Sequence, residues 1–424
     1  MNNSELEGAK FLHKENDSIH TSTIIKNKDV KNDLSLIFGC DKSKISITPE
    51  EALSGDIIYH YGSLDLSELQ SAEGLVLPNN IKGNLNLNEL KSVEGLELPK
   101  SIGGNLNLNG LQSAEELVLP ESIGGDLNLN GLQSAEGLAL PKSIGGNLDL
   151  SGLKSAEGLV LPKSIGGNLD LSGLKSAEKL VLPNSIGGYL NLRGLGSTEG
   201  LELPDSIDSL NLSGLSSAEG LILPKSIGGN LNLNGLQSAK GLTLPESIGG
   251  DLYLSRLKST EELVLPKSIG GYLDLRGLQS AEGLVFPESI YSLDLSGLQS
   301  AKGLILPESI GGYLNLRGLQ STEGLVFPKS LNSINLRELS SAEGLILPSS
   351  IGGNLNLNGL QSAEGLVLPE SIGGYIDLRG LQSTEGLVFP KSIGGYIDLR
   401  GLQSTEGLVF PENIRGKIVL PKED

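Results

Sequence analysis

The sequence predicts a mostly β solenoid of about 17 coils of 20–21 residues, with parallel strands and a short N-terminal helical cap. Three observations predict it. Prolines recur at fixed steps, leucines alternate with polar residues within each step, and bulky side chains are scarce. The chain of 424 residues holds no Trp, 6 Phe, 1 Met and 1 Cys, against 58 Gly. A core filled almost entirely by Leu and Ile suits a thin unit repeated along one axis.

The prolines set the period. From Pro78 they recur at Pro99, Pro120, Pro141, Pro162, Pro183 and Pro204, a step of 21. The step falls to 20 from Pro204 to Pro224, Pro287 to Pro307 and Pro328 to Pro348. There the usual Ser-Ile-Gly-Gly-x is shortened, as in Ser206-Ile207-Asp208-Ser209, so one residue leaves a turn and the strands keep register. Such periodicity is the signature of a repeat architecture. Seventeen full copies run from Leu64 to Pro411, and a partial one follows from Ile414 to Pro421. Copies 371–390 and 392–411 are identical, which points to recent duplication.

Two regions follow from this. Residues 1–56 are polar and unrepeated, and residues 57–424 form the solenoid. Thr48-Pro49-Glu50-Glu51 reads as an N-cap, a first-turn proline and a Glu three residues after the cap. A short helix over Pro49–Leu53 would cover the first coil, whose core and strand edge are otherwise open.

Within a coil, Tyr272-Leu273-Asp274-Leu275-Arg276 alternates, which places Leu273 and Leu275 inward and Tyr272, Asp274 and Arg276 outward. Gly277 permits a turn and Leu278 re-enters the core. Leu284-Val285-Phe286 reads as a second short strand stopped by Pro287, which has no N–H to donate. Ile290 returns to the core, and Gly-Gly in most coils reads as the return turn. One coil cannot bury its own leucines; stacking the coils does.

These features resemble the leucine-rich repeat family, particularly the short repeats of bacterial effector type. The matching parts are the L-x-L strand, the Leu that follows it, and Leu306-Pro307-Glu308-Ser309-Ile310 and its equivalents, over about residues 57–421. The resemblance implies a curved or twisted solenoid whose L-x-L strands form a parallel sheet with its outward positions open to partners. One position departs from the family pattern. Where the family buries an Asn or Cys, this chain has Leu111, Leu132 and Leu153. That leaves a straighter, two-sided β-solenoid open beside the horseshoe.

Composition narrows the functional classes. With 32 Lys and Arg against 51 Asp and Glu, the net charge of -19 disfavours nucleic acid and anionic lipid and favours basic partners. No window approaches eighteen apolar residues, so no membrane insertion is expected. Cys40 stands alone, and His13, His20 and His60 make no metal spacing with it. No phosphate-loop or dinucleotide fingerprint occurs, so no cofactor and no metal is expected. The N-terminus lacks the apolar core of a secretory signal. The expected location is cytoplasmic, or a host cell reached by a signal-peptide-independent route.

Stacking turns each repeat position into a column. The residue between the two leucines is nearly always Asn or Asp, as at Asn107, Asn128, Asp149, Asp170 and Asn191. Tyr189, Tyr272, Tyr313, Tyr375 and Tyr396 are each followed four residues later by Arg193, Arg276, Arg317, Arg379 and Arg400. Positions four apart share one strand face, and Tyr and Arg are enriched at binding hot spots. Together with Asp274, Asp377 and Asp398 these are the candidate partner-binding residues, with 375–400 as the richest patch. Duplication of one ancestral coil also accounts for the pattern.

Ser recurs once per coil from Ser71 onward and reads as a turn residue rather than a nucleophile. Glu two residues later makes an acidic stripe, broken by Lys240 and Lys302. Val160, Val181, Val264 and Val285 should point outward, and such a row suggests lateral packing on a partner or a second copy. The leading expectation is a non-enzymatic protein–protein interaction scaffold, of the bacterial effector kind acting on a host protein. The alternative is a structural or adhesive rod-like surface protein. Near-identical coils argue against a carbohydrate-active β-helix enzyme.

Overall fold

The computed structural model describes residues 57–411 and 413–421, together with 45–46 and 53. It is a mostly β, parallel-strand β-solenoid of about 17 turns, with no helix among the described residues. The helix expected over Pro49–Leu53 lies outside them, apart from Leu53, which sits in a turn. The chain divides after Asp208 into two compact units.

In the unit ending at Asp208, two ladders run side by side. The first is the expected L-x-L ladder. Leu64–Asp65, Leu85–Asn86, Leu106–Asn107, Leu127–Asn128, Leu148–Asp149 and Leu169–Asp170 pair in parallel, Leu over Leu. The second is built from the Ser-Ile segments: Asn80–Ile81, Ser101–Ile102 and Ser122–Ile123, then, beyond bridges through Ile144, Ser164–Ile165 and Ser185–Ile186. Here one expectation is corrected. The Leu-Val-Leu segments form no strand, and only a Val118–Ala139 bridge links two of them. The following proline has no N–H for a ladder, whereas the segment beyond it donates freely. Glu121 N–H bonds Lys100 O at 2.9 Å, and Gly124 N–H bonds Ile102 O at 2.9 Å.

Alternation buries the leucines as expected. Leu106, Leu108 and Leu111 are sealed, joined by Ile102, Ala114 and Leu117. Each such side chain contributes about 1.5–3 kcal/mol of transfer free energy, most of it offset by conformational entropy.

The glycines act differently from the expectation. The true turn is Ala-Glu-Gly-Leu: Leu138 N–H bonds Ala135 O at 3.0 Å and Gly137 has φ +75°, the left-handed position of a type II turn. Glu116, Lys179 and Glu262 occupy that position with φ of 60–65°. The Gly-Gly pair has no such backbone. It is required by stacking instead. A Cβ on Gly124 would strike the carbonyl of Gly103 in the preceding coil, and one on Gly125 would strike Asn105 Oδ1.

That Oδ1 belongs to a second device. Asn105 Oδ1 accepts the N–H of Asp126 at 2.8 Å, Asp126 Oδ1 that of Asn147 at 2.7 Å, and Asn147 Oδ1 that of Asn168 at 2.7 Å. Each of these coils thus captures the next by a short side chain just ahead of the L-x-L strand.

In the unit from Ser209, the same L-x-L ladder runs from Ser209–Asn211 to Ile418–Val419. Its middle differs. Ser268–Asp274, Ser289–Asp294, Ser309–Asn315 and Ser330–Asn335 are continuous strands that fuse both ladders. Ile269 pairs with Ile290 and Tyr272 with Ser292, so the longer coil accommodates one extra residue as a bulge. The column just described also varies along the chain. A Tyr there carries no oxygen close to the backbone. Each 20-residue coil follows a Tyr coil (Tyr189, Tyr272 or Tyr313) and places Ser209, Ser292 or Ser333 in the column. These hydroxyls accept the N–H of Asn230, Tyr313 and Asn354 at 2.9 Å, restoring the capture.

Candidate functional site: the Tyr–Asp–Arg face

The column between the two leucines first serves the coil itself. Asp149 Oδ1 accepts the N–H of Ser151 at 2.9 Å, and Asn128 Oδ1 that of Asn130 at 3.1 Å, closing an Asx turn at the strand end. Some members also reach sideways: Asn86 donates to Asp65 at 3.1 Å and Asn191 to Asp170 at 3.0 Å.

Where the column holds Asp and Arg follows two residues later, the Arg folds back. Arg379 Nε donates to Asp377 Oδ1 at 2.9 Å and its terminal nitrogen to Oδ2 at 2.6 Å. Arg400 grips Asp398 at 2.9 and 2.7 Å, and Arg276 grips Asp274 at 2.9 and 2.8 Å. The three carboxylates are therefore buried, not exposed as the alternation alone predicts, because a guanidinium lies over each. The arginines remain exposed. A buried carboxylate needs such a partner, and the bidentate fork supplies two charge-assisted bonds.

Burial alone would raise the Asp398 carboxyl, but the bonds and charge of Arg400, with the charge of Arg379, hold it below its ordinary value. The bond to Asp377 raises Arg379, and the bond to Asp398 raises Arg400.

The structure brings the predicted residues of 375–400 together. Tyr375 and Tyr396 stack at 4.8 Å and 10° between planes, and Arg379 Nε lies 3.5 Å from Asp398 Oδ2 in the next coil. A second cluster forms around Tyr272. Its hydroxyl donates to Asp294 at 2.9 Å, and its ring meets Tyr253 edge-on at 6.1 Å. Burial, then the Asp294 and Asp274 carboxylates, push the Tyr272 hydroxyl well above its ordinary value. Burial and the bond to Asp251 push Tyr253 up to about 12.

Two predicted coils behave otherwise. Tyr313 is partly exposed, but its central residue is Asn315, and Arg317 turns to Glu338 Oε1 at 2.9 Å. Tyr189 and Arg193 flank Asn191 in the other unit. Sequence reasoning missed Tyr253, Asp251 and Asp294. The available signal was the one Tyr in the Asn/Asp column.

The Ser column matches its expected role, with Ser134 Oγ accepting the N–H of Glu136 at 3.1 Å and the same bond recurring at Ser280 and Ser383. The fold and its surface define a class, a repeat β-solenoid with a uniform apolar core and varied outward columns. Comparison with family models, curated proteins and solved structures finds no match for this chain.

Proposed function

We propose that the chain is a non-enzymatic protein-binding scaffold that contacts its partner through the Tyr–Asp–Arg face of residues 375–400. One observation carries the reading. Tyr375 and Tyr396 are stacked, and Arg379 and Arg400 are clamped on Asp377 and Asp398 before any partner arrives. Tyr and Arg dominate binding hot spots, and side chains already immobilised lose less conformational entropy on association. The same clamp argues against acid–base chemistry, since both carboxylates are committed to guanidinium bonds. We place the chain near the short leucine-rich repeats of bacterial effector type, acting on a host protein. The L-x-L ladder and L-P-x-S-I segments support this, although a ladder on the Ser-Ile segment distinguishes the coil.

The test is quantitative capture of crosslinked partners by the intact chain and by a Y375S/R379Q/Y396S/R400Q variant with unchanged circular dichroism. A partner held by the first and lost by the second is expected. Equal recovery by both would remove the face from the interaction.

A further inference from the structure

The coil carries a second surface that the Tyr–Asp–Arg reading does not use. The residue between Leu and Leu (or Phe) before each proline is exposed, at 73–82% in every coil from Val264 to Val409. Along this stretch it is always Val or Ile, and the next residue, such as Phe286, Phe327 or Phe389, is half-buried beneath it. Phe389 and Phe410 stack at 5.4 Å, so the floor is continuous there. With coils about 4.8 Å apart, eight of them make an apolar strip about 34 Å long. Monomer surfaces rarely leave so large a contiguous apolar patch without a partner.

The occupant follows from charge. Three residues before each aliphatic side chain stands an exposed acidic one: Glu261, Glu282, Glu323, Glu343, Glu364 and onward, interrupted by Lys302. Three residues reach at most about 11 Å, so the acidic column borders the apolar strip along its length. A second copy of the chain would bring two acidic columns together, and anionic lipid would be repelled likewise. We propose that this strip binds a basic amphipathic polypeptide segment, apolar along one side and Lys- or Arg-rich beside it. Laid along the strip as a helix, the segment would span about 22 residues. This is a second interaction surface, independent of the proposed Tyr–Asp–Arg contact.

The experiment uses the full chain and a labelled 22-residue Leu/Lys amphipathic helix, read by fluorescence anisotropy at about 0.15 M ionic strength. Controls are the same peptide with Leu replaced by Ser and one with Lys replaced by Glu. We expect at least about tenfold weaker binding of both controls. The same loss is expected for the chain variants V264T/V285T/V326T/V388T and E261Q/E282Q/E323Q/E343Q. The Y375S/R379Q/Y396S/R400Q chain should bind the Leu/Lys helix unchanged, which separates this surface from the other. An unchanged Kd for the V264T/V285T/V326T/V388T chain would overturn the proposal. So would a dimer in sedimentation that those four substitutions abolish, because the strip would then belong to a second copy.

Discussion

Coils 57–208 and coils 268–335 have cores of the same kind and differ in how the strand is drawn across them. In the first group most coils have two short strands, such as Ser122–Ile123 and Leu127–Asn128 on either side of Gly-Gly. In the second, strands such as Ser289–Asp294 cross without a break. The buried leucines are equivalent in both. One column outside the core also varies along the chain. Asn and Asp at that column bind the next coil's N–H, while a Tyr does not, and a Ser in a coil one residue shorter restores the bond. The solenoid therefore tolerates change in its return segment because the core does not register it.

The outward surfaces also change along the chain. In the first group the outward aliphatic row is broken by Glu97, Ala139 and Glu202. From Val264 onward it is unbroken. Tyr–Asp–Arg clamps also occur only at Asp274, Asp377 and Asp398 among the described residues. A uniform core has left the outward positions free to specialise.

Several measurements would break or sharpen this comparison. The largest effect belongs to the core. Leu108→Ala and Leu295→Ala should each cost about 2–5 kcal/mol, and urea midpoints should fall alike in the two regions; unequal losses would show that the cores are not equivalent. Next comes the glycine column. Gly145→Ala drives a Cβ into the Gly124 carbonyl and should cost about 3 kcal/mol. Gly311→Ala, which meets only Tyr291 at 3.6 Å, should leave the midpoint unchanged or raise it.

The clamps should respond equally in both strand types. Asp274→Asn and Asp398→Asn each weaken a charge-assisted fork and should cost about 2 kcal/mol, read by the same midpoints. Smaller, and opposite in sign, Glu116→Gly should stabilise by about 1 kcal/mol by relieving a left-handed backbone.

The smallest effect is in pH. Folded Tyr253 and Tyr272 hold their protons above the ordinary value near 10. Their contribution is complete below about pH 10 and is lost as pH rises through the raised folded values, about 12 for Tyr253 and higher for Tyr272, because the unfolded chain ionises first. Tyrosinate absorbance should show a late-titrating fraction that Y253F/Y272F removes. Asp398 runs the other way, its contribution present above its ordinary value and lost on acidification below it.

Much of the fold was legible. The proline step gave the coil number, and Leu-x-Leu alternation gave the inward face of Leu273 and Leu275, both fully buried. The exposed position of Val264 and Val285 was equally readable, since Glu97, Glu202 and Thr243 share their column. The location of the second ladder was not. Leu-Val-Leu has the better strand composition, but a ladder depends on which N–H groups meet carbonyls in the next coil, and the adjoining proline withholds one. The candidate residues were legible as types, yet alternation could not show that Arg379 and Arg400 cover Asp377 and Asp398.

By itself the sequence determined the period and the inward leucines, because each depends on neighbours within one coil. Only the tertiary structure decided what happens between coils. It set the contacts that demand Gly-Gly, the capture of each coil by the previous Asn, Asp or Ser, and the burial of Asp beneath Arg. Those depend on distances between residues about 21 apart, which local propensity does not encode and stacking supplies.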